Sequence, residues 1–282
     1  MSIISILALT RESDLSYKTY GKIFRAWISV VPAIFVLDPK DIQILNLKRN
    51  SRKSSEQSVN LMQYFMEIAE NNTKFDDDSI INELCTFMLA GQDSVAAAVS
   101  FTLYNLAVHQ SIQEKAYLEL YAIFKNSDRP TDVKDLQDMK YLEQCIKETM
   151  RLYPSVPIIS RKLSEDIVLG KHTLPAGCNV FISPYTTHRL EQYYENPQEF
   201  NPDRFSTENL EKLHPYAYLP FSAGPRNCIG YKFALIEIKM IVSTLLRRFH
   251  LSACPNKPVN LVFRITLRAS GGVWLKLKPR EL

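Results

Sequence analysis

The stretch Phe221-Ser-Ala-Gly-Pro-Arg-Asn-Cys-Ile-Gly230 constrains this chain more than any other. It places one cysteine, Cys228, between a loop carrying Gly224 and an apolar run from Tyr231 to Leu246 that reads as a helix. Gly224 permits a tight backbone bend where a side chain would collide with anything lying flat against the loop. The amides after the cysteine, at Ile229 and Gly230, and the helix N-terminus favour thiolate over thiol. Arg226, two residues earlier, offers a guanidinium to an acidic group. Phe221 supplies an apolar ring that would shield the sulfur from water. A buried structural cysteine is the commonest fate of a free thiol, but that reading leaves the ten-residue spacing unexplained.

A second feature is a long helical pattern from Asp78 to about His109, carried by Ile80, Ile81, Leu84, Phe87, Met88, Val95, Val99, Leu103 and Leu106. At ~1.5 Å rise per residue it would run about 45 Å, with Asp76 to Asp78 capping its start. Its middle holds Ala90-Gly-Gln-Asp-Ser94. A mid-helix glycine costs ~1 kcal/mol against alanine, so the position asks for a reason. Ser94 can bond back to the Ala90 carbonyl and open the helix locally, leaving an acid and an alcohol able to hold water and move protons. The alternative is a small-residue contact where another helix crosses.

A helix from Met139 to Tyr153 is stopped by Pro154. On it Glu148 and Arg151 are neighbours at i,i+3, set among Ile146, Met150 and Leu152, so the pair is expected to be partly buried. Arg204, in Asn-Pro-Asp-Arg-Phe205, is the candidate third partner. Around these lie the weaker elements. Residues 20–36 read as strands Lys22 to Val30 and Ala33 to Val36, split by Val31-Pro32. Asp38 caps a helix begun by Pro39, with Ile42, Ile44 and Leu45 as its apolar face. Asn46 to Ser58 reads as a basic loop and Asp128 to Asp138 as a polar connection. Further strands are expected near Ser155–Arg161, Val168–Leu174, Asn179–Ser183 and within Val259–Leu277, with a turn at Ser270-Gly-Gly272. His188 is expected as a hydrogen-bonded structural residue and His214 as a surface one.

Together these motifs resemble the cytochrome P-450 family, whose loop pattern is Phe-x-x-Gly-x-Arg-x-Cys-x-Gly. The Ala90–Ser94 stretch is similar to its central helix I, and Glu148-x-x-Arg151 to its helix K. Pro202-x-Arg204-Phe205 is similar to its meander. The wording of the loop is closest to family four of the microsomal type. The resemblance implies a mainly α fold with small β-sheets (α+β). Residues 1–57 would hold an N-terminal β-hairpin, a helix B remnant and a linker. Residues 58–282 would form the haem-binding core of helices I, K and L, meander, cysteine loop and C-terminal strands.

It further implies haem b, ligated at iron by the Cys228 thiolate. Arg226, Phe221, Gly224 and Gly230 would surround it and Arg161 would face a propionate. Asp93 and Ser94 would be the catalytic proton relay. Glu148, Arg151 and Arg204 would clamp the meander, and Val156, Ile158 and Ile159 would contact substrate. The implied activity is a monooxygenase inserting one atom of O2 into a fatty acid or similar lipid. Electrons would come from NADPH–cytochrome P-450 reductase, with cytochrome b5 as a second candidate partner.

The chain departs from the family in two places. No region between helix B and the approach to helix I carries the Trp-x-x-x-Arg motif, since neither Trp27 nor Trp274 is followed by such an arginine. Ala90 stands where many family-four members have the glutamate that bonds haem covalently. An internally shortened, catalytically incompetent fragment, keeping the haem loop and a reductase-facing surface, is therefore the alternative to an enzyme.

Composition narrows the partners. A net charge of +4 without any Lys/Arg run interleaved with aromatics argues against nucleic acid. Five cysteines without a C-x-x-C pair argue against a zinc site or a disulfide framework and fit a reducing, cytosol-facing setting. The apolar opening, Met1 to Thr10, is shorter than the ~20 residues a span needs, so no membrane anchor is expected. The resemblance nevertheless implies association with the cytoplasmic face of the endoplasmic reticulum.

Overall fold

The computed structural model describes residues 23–28, 31–36, 38–46, 61–71, 75–125 and 127–280. In chain order it has strands β1 (Ile23–Ile28) and β2 (Val31–Val36), then helices α1 (Pro39–Asn46), α2 (Leu61–Asn71) and α3 (Asp77–Val108). Helices α4 (Gln110–Phe124), α5 (Val133–Asp138) and α6 (Lys140–Leu152) follow. Next come β3 (Ile159–Lys162), β4 (Ile167–Leu169), β5 (His172–Leu174), β6 (Asn179–Ile182) and the short helices α7 (Pro184–Thr187) and α8 (Thr207–Leu210). Helix α9 (Tyr231–Arg248) and strands β7 (Phe249–Ala253), β8 (Asn260–Phe263), β9 (Leu267–Ser270) and β10 (Leu275–Pro279) complete it. The fold is mainly α with small sheets. The apolar opening at 1–10, the boundary at 57–58 and all of the loop expected over Asn46 to Ser58 except Asn46, which ends α1, lie outside the described residues.

Helix α3 is the axis. Asp76 caps it, its side chain accepting from the Ser79 amide at 3.0 Å, and Asp77 and Asp78 add favourable charge in the first turn. The C-terminal half is core: Val95, Ala98 and Leu106 pack with Leu120 of α4, Ile146 of α6 and Val242 of α9. The N-terminal half is largely bare, with Ile81, Met88 and Leu89 exposed. Length and composition alone would let α3 cross a membrane. Its packing among three helices instead makes it the central helix of the fold.

A four-stranded sheet, ordered β1-β2-β6-β3, forms a second layer. Strand β2 runs parallel to β6, pairing Ile34, Val36 and their neighbour with residues 180–182. Val36 and Ile42 share a core with Leu163, Leu174, Val180 and Leu219. Asp38 caps α1, accepting from the Lys40 amide at 2.9 Å.

Three local expectations need correction, and one helix was not expected. The break in the first hairpin is not at Val31-Pro32, because both residues belong to β2, opposite Ile28 and Trp27. Pro32 is tolerated there because pairing with β6 begins only at Ile34, so its missing N–H costs no bond on that side. Val168 to Leu174 is not one strand but the hairpin β4–β5, turned at Gly170 with φ of 56°. The polar connection 128–138 contains α5, started by a reciprocal capping box between Asp132 and Asp135. Arg129 grips both Asp135 oxygens, at 2.6 and 2.7 Å, and that hydrogen bonding holds the carboxyl down at about 2. Helix α4 had no separate expectation. It follows α3 at His109 without a glycine or proline to mark the break.

The Glu148–Arg151 pair is fully buried, with Nε to Oε2 at 2.7 Å and Nη2 to Oε1 at 2.8 Å. Arg151 also donates to the carbonyls of His188, Pro197 and Glu199, and Glu148 accepts from the Asn201 amide at 2.9 Å. Arg204 completes the group more loosely. Its Nε lies 3.4 Å from Glu148 Oε1 as a charge contact rather than an aligned hydrogen bond, while Nη2 donates to the Asn196 carbonyl.

His188 is fully buried between two elements. Its Nε2 accepts from the Leu219 amide at 2.7 Å, which leaves Nδ1 to donate to the Arg151 carbonyl at 3.1 Å. Burial pushes its pKa from 6.5 down to about 3. Below pH 6.5 the unfolded chain therefore takes up a proton that the folded chain refuses, and stability falls as pH falls. Urea unfolding at pH 7 and pH 5 should differ by about 2 kcal/mol from this group, at ~1.4 kcal/mol per pH unit. His188→Gln should flatten that slope. An equal slope in both proteins would show that the imidazole is not held neutral.

Candidate active site

A cavity of about 500 Å³ opens between α3, the segment before β3, the loop 219–228, the start of α9 and residues 265–266. That is within the ~300–1,000 Å³ range of small-molecule sites. Its walls bring together Phe221, Arg226 and Cys228 from the loop, Asp93 and Ser94 from α3, and Val156 and Ile159. Ile158 is half-buried but does not line it. The chain enters β3 only at Ile159, so the alternation of a strand does not extend back over residues 156–158.

The loop is shaped by its own backbone. The Cys228 amide donates to the Phe221 carbonyl at 2.9 Å, and the Asn227 amide to that of Gly224 at 3.0 Å. Gly224 sits at φ of 74°, in the left-handed region where its missing Cβ is needed. Ser222 also has positive φ, 61°, which is uncommon for a residue with a side chain. Its hydroxyl accepts from Arg161 Nη2 at 3.0 Å. Cys228 is exposed and lies two residues before Gly230, the N-cap of α9.

Electrostatics mark a place for an anion. Burial, and then the neighbouring Arg226, hold the Arg161 guanidinium below its ordinary value. Arg226 lines the cavity while Arg161 stands behind it, bonded to Ser222, and an acidic ligand beside the pair would relieve their repulsion. At Gly230 an added Cβ would meet nothing within 4 Å, and its φ of −88° suits any residue. No described protein contact therefore requires glycine there. A flat, apolar, doubly acidic group bound through sulfur, such as haem, fits this donor set.

On the opposite wall Ser94 Oγ donates to the Ala90 carbonyl at 2.8 Å, within a helix that stays regular through this turn. The local opening expected there is not seen. Asp93 is held by Arg268 in an ion pair and by the Thr266 hydroxyl. Ser155 Oγ donates to the Ser94 carbonyl at 2.8 Å. Ser155, Ser222, Thr266 and Arg268 were not anticipated as site residues; Ser155 beside the Val156–Ile159 segment and Ser222 within the cysteine loop offered a signal, and Thr266 and Arg268 offered none.

Gly91 meets nothing within 4 Å of an added Cβ, so among the described residues no helix crosses there. Gly91→Ala should therefore stabilise the ligand-free chain by about 1 kcal/mol through helix propensity alone. Thermal unfolding measures this, and a loss of stability would reveal a close contact across α3.

The family described as Cytochrome P450 matches residues 42–275. Probable cytochrome P450 4aa1 of Drosophila melanogaster is 55% identical over 236 residues, covering 83% of this chain and 46% of that protein. Cytochrome P450 4V2 of Homo sapiens is 42% identical over 239 residues, with the same coverages of 83% and 46%. Cytochrome P450 4c3 of Drosophila melanogaster is 41% identical over 218 residues, covering 77% and 41%. The chain thus spans less than half the length of these relatives, which fits the absence of the region between helix B and helix I. A match over most of the chain, relatives of family four and a cavity that joins the cysteine loop to the acid and alcohol of α3 lead to one conclusion. The chain belongs to the cytochrome P450 family.

Proposed function

We propose that this chain is the haem-thiolate part of a family-four monooxygenase that inserts one atom of O2 into a fatty acid or similar lipid. Electrons come from NADPH–cytochrome P-450 reductase at the cytoplasmic face of the endoplasmic reticulum, with cytochrome b5 as a second candidate donor. The observation that carries the reading is one cavity with Cys228 and Arg226 on one wall and Asp93 and Ser94 on another. When bound, the haem supplies oxygen activation, which electron donation from a cysteine thiolate favours.

The chain's own residues divide the remaining work. Cys228 Sγ would ligate the iron, and Arg226 and Arg161 would neutralise the acidic groups of the haem. Phe221 keeps water from the sulfur. Asp93 and Ser94 hold and move protons on the far side, and Val156 and Ile159 meet the apolar substrate. Glu148, Arg151 and Arg204 fix the layer beneath.

A second reading, of a fragment incompetent by itself, is favoured by the bare walls. Leu89 and Ile265 line the cavity yet are 71% and 88% exposed. At ~25 cal/mol per Å², leaving several hundred Å² of such surface wet forfeits several kcal/mol, against a whole domain stability of ~5–15 kcal/mol. The two readings agree on the ligand and differ on turnover.

Residues 1–282 reconstituted with haem should give a red-shifted ferrous–carbon monoxide Soret band that Cys228→Ser abolishes. Retention of that band in the variant would remove Cys228 as ligand. Because Ala90 has no carboxylate, acid–organic solvent should extract the haem. With reductase added, lauric acid hydroxylation should be absent or very low. Steady turnover with stoichiometric haem would overturn the fragment reading and leave the enzyme.

A further inference from the structure

The acid of α3 is not presented by its own helix alone. Arg268 Nη2 forms the ion pair with Asp93 Oδ1, and the Thr266 hydroxyl donates to Asp93 Oδ2. Arg268 Nε in turn donates to Thr266 Oγ1 at 3.3 Å, so the three side chains close a ring. Thr266 is buried and lines the cavity, while the Arg268 side chain is half exposed behind it.

The hairpin that carries this arginine is itself anchored. Leu267 is fully buried against Ala97 and Phe101 of α3, and its amide donates to the Ser155 carbonyl at 2.8 Å. Through its hydroxyl, Ser155 holds the Ser94 carbonyl. The Asp93 side chain and the Ser94 backbone carbonyl are thus both held from outside α3. An aspartate on a half-exposed helical turn otherwise has several side-chain rotamers open to it. Occupying both carboxylate oxygens leaves one.

We propose that Arg268, acting with Thr266, is a positioning residue for Asp93 that holds its carboxylate in a single orientation at the cavity wall. The proposal rests on the haem reading only for what that orientation serves, because the ring is made entirely of this chain's own groups. Orientation of a proton-handling group matters because a displacement of about 1 Å can cost ~100-fold in rate.

The test is a zero-length cross-link in the haem-free chain. In Arg268→Lys, carbodiimide should join the introduced amine to the Asp93 carboxyl with loss of one water, read by peptide mass spectrometry. Adding Asp93→Asn should abolish the product. In Arg268→Gln, carbodiimide with glycine ethyl ester should label Asp93 several-fold faster than in the parent chain. No cross-link together with unchanged labelling would overturn the tie.

Positioning is read separately in the haem-loaded chain from the C–O stretch of the ferrous carbon monoxide complex. It should shift or broaden in Arg268→Gln and return towards the parent value in Arg268→Lys. A cross-link with a C–O stretch unmoved in Arg268→Gln would reduce Arg268 to a structural tie and overturn the positioning role. A chain that takes up no haem defeats the haem reading, and the cross-link and labelling then decide the ring alone.

Discussion

The cysteine side of the cavity hangs from the buried Glu148–Arg151 ion pair. Two charges without solvent are costly, and their attraction offsets the loss only when the remaining donors and acceptors are satisfied. Here they are, by three carbonyls on one side and the Asn201 amide on the other. The pair therefore organises backbone from residues 188 to 201 that has little regular structure of its own. From there the order passes through His188 to the Leu219 amide, two residues before Phe221. A charge pair on α6 thus fixes the start of a loop whose own hydrogen bonds are few.

Helix α3 divides its labour along its length. Its second half is bound into the core by α4, α6 and α9, and that anchorage sets where its first half projects. The acid–alcohol turn lies near the junction, regular in backbone but held sideways by Ser155 and the β8–β9 hairpin. Ahead of it, Met88 and Leu89 stand exposed as apolar residues on the half of the helix that the core does not reach.

Much of the site was legible in the sequence because its parts are local. The loop's glycine, arginine and cysteine each have a role that fixed spacing expresses, and i,i+3 spacing alone made Glu148 and Arg151 neighbours. The α3 cap was readable for the same reason. What escaped was either unmarked or distant. The α3–α4 break at His109 has no breaker residue, and α5 hides inside a polar run whose only signal is Asp132 three residues before Asp135. Ile158, given by the resemblance, lies outside the cavity lining, just before β3 begins. Residues 93, 266 and 268 meet through tertiary packing, which no spacing in the chain encodes.

The parallel pairing of β2 with β6 carries a consequence for how the chain assembles. It joins residue 36 to residue 182, with most of the helical core lying between them in sequence. Loop-closure entropy over such a span must be met before the contacts reward it, and non-local pairings of this kind slow folding. During synthesis the first hairpin emerges with one edge unpaired, and it waits until β6 has left the ribosome to gain its second neighbour. The helices between can gather first, since their contacts are closer in sequence. The N-terminal hairpin thus keeps an open edge while those helices are made, exposed to wrong partners on the way.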